Sequence, residues 1–413
     1  MTGEDVEGKS TPVSLLGILS AIPKGLSDSA VLVFYVFIIG AVITLIQQTG
    51  TFNAFLFGLI SRFRKKPKQL LFLIYMTIFT GSSFLGIGPE TIALIPVFFF
   101  LSKQLDYDRI FGLGLLNIPI LLGWTSGVTN PFTVQIAQII AELPIGSGMG
   151  LRLALFGALA LTGFYFLMRY GDKVKKDPSK SLMPDDRFEL EDYGSFEEVK
   201  LERKHIFILG FFIVSYASVL YAVQTLGWGL IEMSASFIGI TIVVTKLAGM
   251  TGDEAMTAFT KGLGVMIIPA LVVGVARGIS VVLSEGMIID TLIHHASVVL
   301  MSMPKIVAAE GMLVFQSTLN FFIPSASGQA LVSMPLMTPM SDILGISRQT
   351  AVLAFILGDG LSNIIIPTNG VLMAMLGLAK ISFEKWFRFV LPLFIVSIII
   401  GAAFIAIAVL TGY

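Results

Sequence analysis

The chain reads as an all-α polytopic membrane protein built from two inverted repeats, each with a re-entrant helical hairpin and a broken transmembrane helix. Three observations predict this class. Of 413 residues, 55% are hydrophobic and only 13% charged, which is too apolar for a soluble domain of this length. The charge gathers in a few loops, between which apolar stretches long enough to span a bilayer recur. The second half also repeats the first. Lys24-Gly25-Leu26 returns as Lys261-Gly262-Leu263, and Pro96, Arg109 and Asn130 return as Pro335, Arg348 and Asn369 at one offset of 239. Polar interruptions at matching places in a duplicated apolar chain are the sequence pattern of a secondary transporter.

Composition also excludes. Net charge is zero, so no nucleic-acid partner is expected. With no cysteine there is neither a disulfide nor a thiolate metal site. A membrane barrel would alternate apolar and polar residues, and 386–410 does not. The opening MTGEDVEGKS is acidic and lacks the basic start of a signal peptide.

Residues 1–28 read as a polar N-terminus and pre-span segment. Repeat 1 occupies 29–168 and starts with a span over 29–48 and an in-plane helix over Phe52–Phe63. Two loops set the orientation: 61–68 holds five Lys/Arg, and 169–204 holds nine Lys/Arg among ten acids. The positive-inside rule counts the bases, so both face the cytoplasm, and 169–203 becomes the cytoplasmic linker between repeats.

The chain must leave and re-enter the cytoplasmic side between these loops. The arms 69–82 and 89–103 are too short to cross, since a 12-residue helix covers ~18 Å of a ~30 Å core. They therefore predict a hairpin over 69–103 with its tip at GSSFLGIGPE. Residues 110–142 form a helix broken at Ser126–Pro131, because Pro131 lacks an N–H and disfavours helix at Asn130. Such a break is tolerated only where the freed backbone lines a cavity or is buried in protein. Residues 151–168 return to the linker.

Two connecting spans follow within 204–249. Repeat 2 occupies 250–413, with a span over 264–284, an in-plane helix over 287–302, a hairpin over 306–341 and a broken helix over 349–380. A last span covers 386–410. The two connecting spans make repeat 2 enter from the opposite side, which is what inverts it. Both termini then fall outside, an unusual arrangement that points to a missing N-terminal span.

Several polar residues are candidates for chemistry. Glu90 follows Gly88-Pro89 at the first tip, and an acid at that depth costs roughly 2.5–3.5 kcal/mol to insert, which marks it as a functional suspect. It can equally cap the hairpin's second helix. Its repeat partner is the neutral Gln329. Asp359, between Gly358 and Gly360, has no acidic counterpart in repeat 1 and reads as a substrate or coupling-ion ligand, or as a hydrogen-bond hub. Thr129, Asn130 and Thr133 stand at the first break, and Asn363, Thr368 and Asn369 at the second. Hydroxyl, amide and unwound carbonyl oxygens are hard ligands suited to Na⁺. The half-helices after Pro131 and Pro367 aim positive dipole ends at the breaks, which suits a carboxylate. Plain proline kinking is the bland alternative. Ser82 and Ser83 at one tip, with Ser325, Ser327, Gly328 and Gln329 at the other, are substrate-binding candidates that let a substrate meet backbone amides, or they serve close helix packing. Glu90, Thr133, Asp359 and Asn363 are the ion-ligand candidates. Arg277 reads as half of a structural ion pair, with Glu285 as one partner. No Walker motif is present, which argues against ATP-driven transport.

At these residues the chain resembles the YfcC family. The run 320–381, from NFFIPSASGQ to LGLAKI, carries the resemblance, as do GIGPETIALIPVFFFLSKQL and TNPFTVQIAQIIAELPIGSGMGLR. That family is grouped with basic amino acid antiporters and anaerobic four-carbon dicarboxylate carriers in the ion transporter superfamily. The resemblance implies a homodimer with a scaffold domain and a mobile transport domain that carries both hairpins. It also implies elevator-type alternating access in a prokaryotic inner membrane.

Two fixed acids and helix dipoles suit an amino acid with an added positive charge, so basic amino acid exchange is the expected activity. A dicarboxylate would meet repulsion from both acids unless they hold Na⁺ or H⁺, and stands as the alternative. No cofactor beyond such a coupling ion is expected. A channel would need a continuous polar stripe, and an enzyme a nucleophile–base pair or metal cluster; the sequence offers neither.

Overall fold

The structure, a computed structural model, describes residues 13–51, 54, 66–130, 132–184, 202–226, 228–286, 288, 295 and 298–413. Every described element is helical. Helices α1 (Leu15–Asp28) and α2 (Ala30–Gln48) open the chain. The first hairpin is α3 (Pro67–Leu85), a 3₁₀ turn (Pro89–Leu94) and α4 (Ile95–Gln104). The first broken helix is α5 (Arg109–Ser126) with α6 (Val134–Ile140), and α7 (Met149–Lys176) follows. After the linker come α8 (Arg203–Leu226), α9 (Leu230–Ala248), α10 (Gly252–Val265) and α11 (Ile267–Glu285). The second hairpin is α12 (Lys305–Phe322) with α13 (Ala326–Ile343). The second broken helix is α14 (Arg348–Ser362) with α15 (Gly370–Ala379), and α16 (Phe383–Thr411) ends the chain.

Side-chain oxygens set many of these boundaries. Ser14, Asp108, Ser325, Ser347, Asn369 and Ser382 each accept a hydrogen bond from the first turn of the helix they precede, satisfying donors that have no intrahelical partner. Among the described residues, four helices are long and apolar enough to cross a membrane: α5, α7, α9 and α16. A fifth span results if the bent pair Leu15–Asp28 with Val33–Ile46, which turns by 61°, is counted as one.

Three expectations need adjustment. Residues 15–28, placed in a polar N-terminal segment, form the apolar helix α1, whose Leu15, Leu16 and Leu19 are exposed. The linker does not start at 169, because α7 stays helical to Lys176; its basic last turn suits a helix C-terminus. The in-plane helices expected over 52–63 and 287–302 fall largely outside the described residues.

The halves embrace reciprocally. Helix α1 packs on α11, and α10 packs on α2. A Cβ on Gly25 would lie 2.5 Å from the Gly278 nitrogen, and a Cβ on Gly262 would lie 2.5 Å from the Ala41 Cα. Residues 25 and 262 are repeat equivalents, and so are 41 and 278, so one contact is made twice. In lipid, where burial of apolar surface does little to drive association, such close backbone approach is a main source of adhesion. Lys24 and Glu285 close this interface with an ion pair of 2.5 Å, which gives Glu285 a partner other than the expected Arg277.

The broken helices α5 and α14 form the centre. Residues 349–362 of α14 are all buried, and so is nearly all of α5. Each starts with an arginine that reaches across to the other repeat. Arg109 Nη1 donates to the Ala379 carbonyl at the end of α15 (3.1 Å), and Arg348 Nη1 donates to the Ala141 carbonyl just past α6 (3.0 Å). A cation on the unsatisfied carbonyls of a helix C-terminus is the favourable sign for that end.

Candidate functional site

The two breaks start from equivalent asparagines. Asn130 Oδ1 accepts from the Phe132 N–H at 2.8 Å, and Asn369 Oδ1 accepts from Val371 and Leu372 at 3.0 and 3.1 Å. Both act as caps for the backbone that resumes after the break, a role the sequence reading does not give them. The half-helices also start later than expected, at Val134 and Gly370. Pro131, the expected cause of the first break, lies outside the described residues. Gly127 takes a left-handed φ of 41° at the end of α5, a conformation that costs glycine little.

The first break is closed against the first hairpin. Ser83 Oγ lies 2.7 Å from Ser126 Oγ and accepts from the Val128 N–H at 3.2 Å. Thr129 Oγ1 donates to the Phe84 carbonyl at 3.0 Å, and Asn130 Nδ2 to the Ser82 carbonyl at 3.2 Å. Trp124 Nε1 donates to the Ile87 carbonyl at 2.7 Å. Gly86, with φ of 71°, ends α3 where a Cβ would lie 2.8 Å from Asn130 Oδ1. Ser82, Ser83 and Asn130 are buried, and their polar groups are taken up within the hairpin and the break: Ser82 Oγ donates to the Ile87 carbonyl at 3.1 Å, Ser83 pairs with Ser126 and Val128, and Asn130 holds the Ser82 carbonyl. Behind them the fully buried Arg152 donates to the Ser147 carbonyl at 2.7 Å and Tyr413 Oη at 3.0 Å, with longer bonds of 3.4 Å to the Val128 carbonyl.

The second break opens on a cavity of about 340 Å³. Asn363 and Asn369 line one side, joined by Asn369 Nδ2 donating to Asn363 Oδ1 at 2.9 Å. Ser325 and Ser327 of the second tip line another, and Gly86 and Gly88 of the first tip a third. The aromatic rings of Trp124 and Phe132, stacked at 6.1 Å, and Trp228 before α9 complete it. None of the described residues lining the cavity carries a charge. These aromatics are missed by the sequence reading, and the 239-residue repeat, which pairs Asn130 with Asn369, does not place them there.

Asp359 lies just behind this wall, one residue before the lining Gly360 and one helical turn before the lining Asn363, and is only 1% exposed. Both flanking glycines are contact points: a Cβ on Gly358 would strike Gln316 of α12, and one on Gly360 would lie 2.6 Å from the Thr125 Cα of α5. The helix is thus pinned on both sides, with the carboxylate held between. Its Oδ1 accepts from Asn363 Nδ2 at 3.3 Å, while Oδ2 is buried with no partner among the described residues. Asn320 Nδ2 fixes the Asp359 carbonyl at 2.9 Å and Ser362 Oγ at 2.8 Å. A buried carboxylate with one bare oxygen is costly, and a proton or a cation would relieve that cost. Thr133 and Thr368, the other hydroxyls expected near the breaks, are likewise buried with unpartnered oxygens.

The remaining expected residues fall elsewhere. Gln329 is buried in the first turn of α13, beside the tip, and donates to Gln316 Oε1 and the Gln316 carbonyl at 2.7 and 2.9 Å, so its amide braces the two arms of the hairpin. The Gly328 N–H caps onto Ser325 Oγ at 3.4 Å. Glu90 sits in the 3₁₀ turn, which packs against α2 and α15; its side chain lies outside the described residues. No cluster of three metal-ligating side chains occurs among the described residues.

Membrane-length apolar helices, two helical hairpins and two mid-helix breaks that meet at a partly open cavity lined by aromatic, apolar and a few polar side chains define a multi-pass membrane transporter. Comparison with known proteins agrees: the chain belongs to the DcuC family, described as C4-dicarboxylate anaerobic carrier, whose model matches residues 8–410. It is 32% identical over 394 residues to the Escherichia coli (strain K12) protein named "Putative basic amino acid antiporter YfcC", covering 92% of this chain and 78% of that one. It is 30% identical over 397 residues to an uncharacterized protein of Haemophilus influenzae, covering 95% and 78%. Among solved structures, the Alcanivorax borkumensis YdaH transporter aligns over 99% of this chain and 93% of its own, at 15% identity and a TM-score of 0.47.

Proposed function

We propose that the protein is a secondary carrier of basic amino acids or related amino-acid-like solutes, working by exchange or coupled to Na⁺ or H⁺. The observation that carries this reading is a cavity with no basic side chain among its described lining residues, walled by aromatic rings and backed by the half-satisfied carboxylate of Asp359. A guanidinium or ammonium group gains from the faces of Trp124, Phe132 and Trp228 and from the carboxylate behind Gly360. The substrate's α-carboxylate has Asn363, Asn369, the two tip serines and the N-terminus of α15 for partners. The name of the Escherichia coli relative points the same way.

A C4-dicarboxylate is the second reading, favoured by the family's description. Two negative charges would find amides and hydroxyls here but no cation, so that reading needs the acids to be neutralised by Na⁺ or H⁺. The bare oxygens of Asp359, Thr133 and Thr368 are the groups available to such an ion. Either solute would cross by alternating access, with the hairpins and broken helices moving past α1, α2 and α8–α11 as an elevator, in a homodimer in the plasma membrane. The reciprocal α1–α11 and α10–α2 contacts support an inverted repeat as the source of that scaffold.

Counterflow into proteoliposomes tests the choice. Vesicles preloaded with arginine or ornithine should accumulate labelled arginine without a sodium gradient, and those preloaded with succinate should not. Sodium-driven succinate uptake would overturn the substrate and keep the site.

A further inference from the structure

We infer that a second site, a groove between the linker-side ends of α3 and α7, seats the phosphate headgroup of an anionic phospholipid. The groove encloses about 810 Å³, far from the carrier cavity, and takes Lys68 from α3, Arg169, Lys173 and Lys176 from α7, and Lys180 from the 3₁₀ turn Pro178–Lys180. Five cations meet one carboxylate, Asp172, which is already held by Lys68 at 2.7 Å. Lys180 pairs with Asp177 at 3.1 Å. Among the described residues no ion pair engages Arg169, Lys173 or Lys176, and all three are exposed.

The polarity along the groove decides the ligand class. On one face of α7, Leu161, Phe164, Tyr165 and Met168 give way to Arg169, Lys173 and Lys176, a change from apolar to basic within a turn. Leu161 and Tyr165 stay 65% and 66% exposed, as side chains facing acyl chains would be. A basic helix end alone is explained by the dipole and by the positive-inside rule. The positive-inside rule covers Lys68 and Lys180 as well, since both lie in the basic loops, but it does not by itself gather bases from three elements around one groove above an apolar strip. A headgroup phosphate with its chains lying along α7 fits both halves of the groove, and the charge rule puts this end at the cytoplasmic leaflet, where anionic lipid attracts such clusters.

Native mass spectrometry of the full chain in detergent, with phosphatidylglycerol or phosphatidylcholine added at equal concentration, tests this. Wild type should retain phosphatidylglycerol roughly tenfold over phosphatidylcholine, and the preference should fall as salt rises. The variant Arg169→Gln/Lys173→Gln/Lys176→Gln should lose it while melting at the wild-type temperature in lipid-free detergent. Lys173→Gln alone, a milder change at an exposed site, should weaken it severalfold. Equal retention of both lipids by wild type, or an unchanged preference in either variant, overturns the proposal. Displacement of the lipid by millimolar inorganic phosphate would reassign the groove to the free anion and overturn it as well.

Discussion

Asn130 and Asn369 occupy equivalent places in the two repeats and make the same capping bond two residues on, yet their surroundings differ. The first break is latched to its own hairpin by Ser82, Ser83, Thr129 and Trp124, and its polar groups are consumed in that latch. Among the described residues the second hairpin ties to the end of α14 through Asn320, which donates to Ser362 Oγ and the Asp359 carbonyl, while its tip serines Ser325 and Ser327 face the break across the cavity. The difference teaches that duplication supplied a frame, and that divergence in side chains turned one copy into a wall and the other into a receptor surface. The bare carboxylate oxygen belongs to the second copy, where repeat 1 has Ile120.

The largest break in that comparison should come from Asp359→Asn, which keeps the shape and removes the charge. Loss of a buried partner for a cationic substrate is worth roughly 2–5 kcal/mol, so counterflow should fall by about 100-fold or more with the protein still eluting as wild type. Unchanged counterflow would show that Asp359 is a hub and not a ligand. Next, Gly360→Ala should destabilise by about 1–3 kcal/mol or more, because its methyl group would drive α14 off Thr125; a lower melting temperature in detergent reads this out.

Matched serine substitutions sharpen the contrast itself. Ser83→Ala removes a bridge between hairpin and break and should cost about 1 kcal/mol of stability, with KM little changed. Ser327→Ala, on the cavity wall, should raise KM and leave stability within about 0.5 kcal/mol. If the two variants behave alike, the walls are not divided as described. The smallest effect is expected at the α1–α11 seam. There Lys24→Met should cost no more than about 1 kcal/mol, since the pair with Glu285 is partly exposed and screened.

Much of this was legible in the residues. Breaks marked by glycine, asparagine and proline, and the 239-residue frame, fall close to where the described helices end and resume, but the first arm, expected over 69–82 and too short to cross, runs Pro67–Leu85, 19 residues. These are local facts, since helix length, missing donors and charge in loops act within a few residues. The weaker calls share one cause. Gln329 and Glu90 match in the alignment, but matching says nothing about depth, and Gln329 is turned inward onto Gln316. Ser82, Ser83 and Asn130 have the polarity of a binding site but are satisfied by Ile87, Ser126, Val128 and the Ser82 carbonyl, which no single-residue property reveals. Trp124, Phe132 and Trp228 read as ordinary membrane aromatics until three separate segments bring them to one cavity.

The sequence by itself determined the class of molecule, the order of its helices and the two places where a helix must break, because each follows from composition and spacing along the chain. Only the tertiary structure decided which break is sealed and which is open. That outcome depends on whether a polar group meets a partner from a distant segment before it meets the cavity, and in a low-dielectric interior every group left without one is held at a cost.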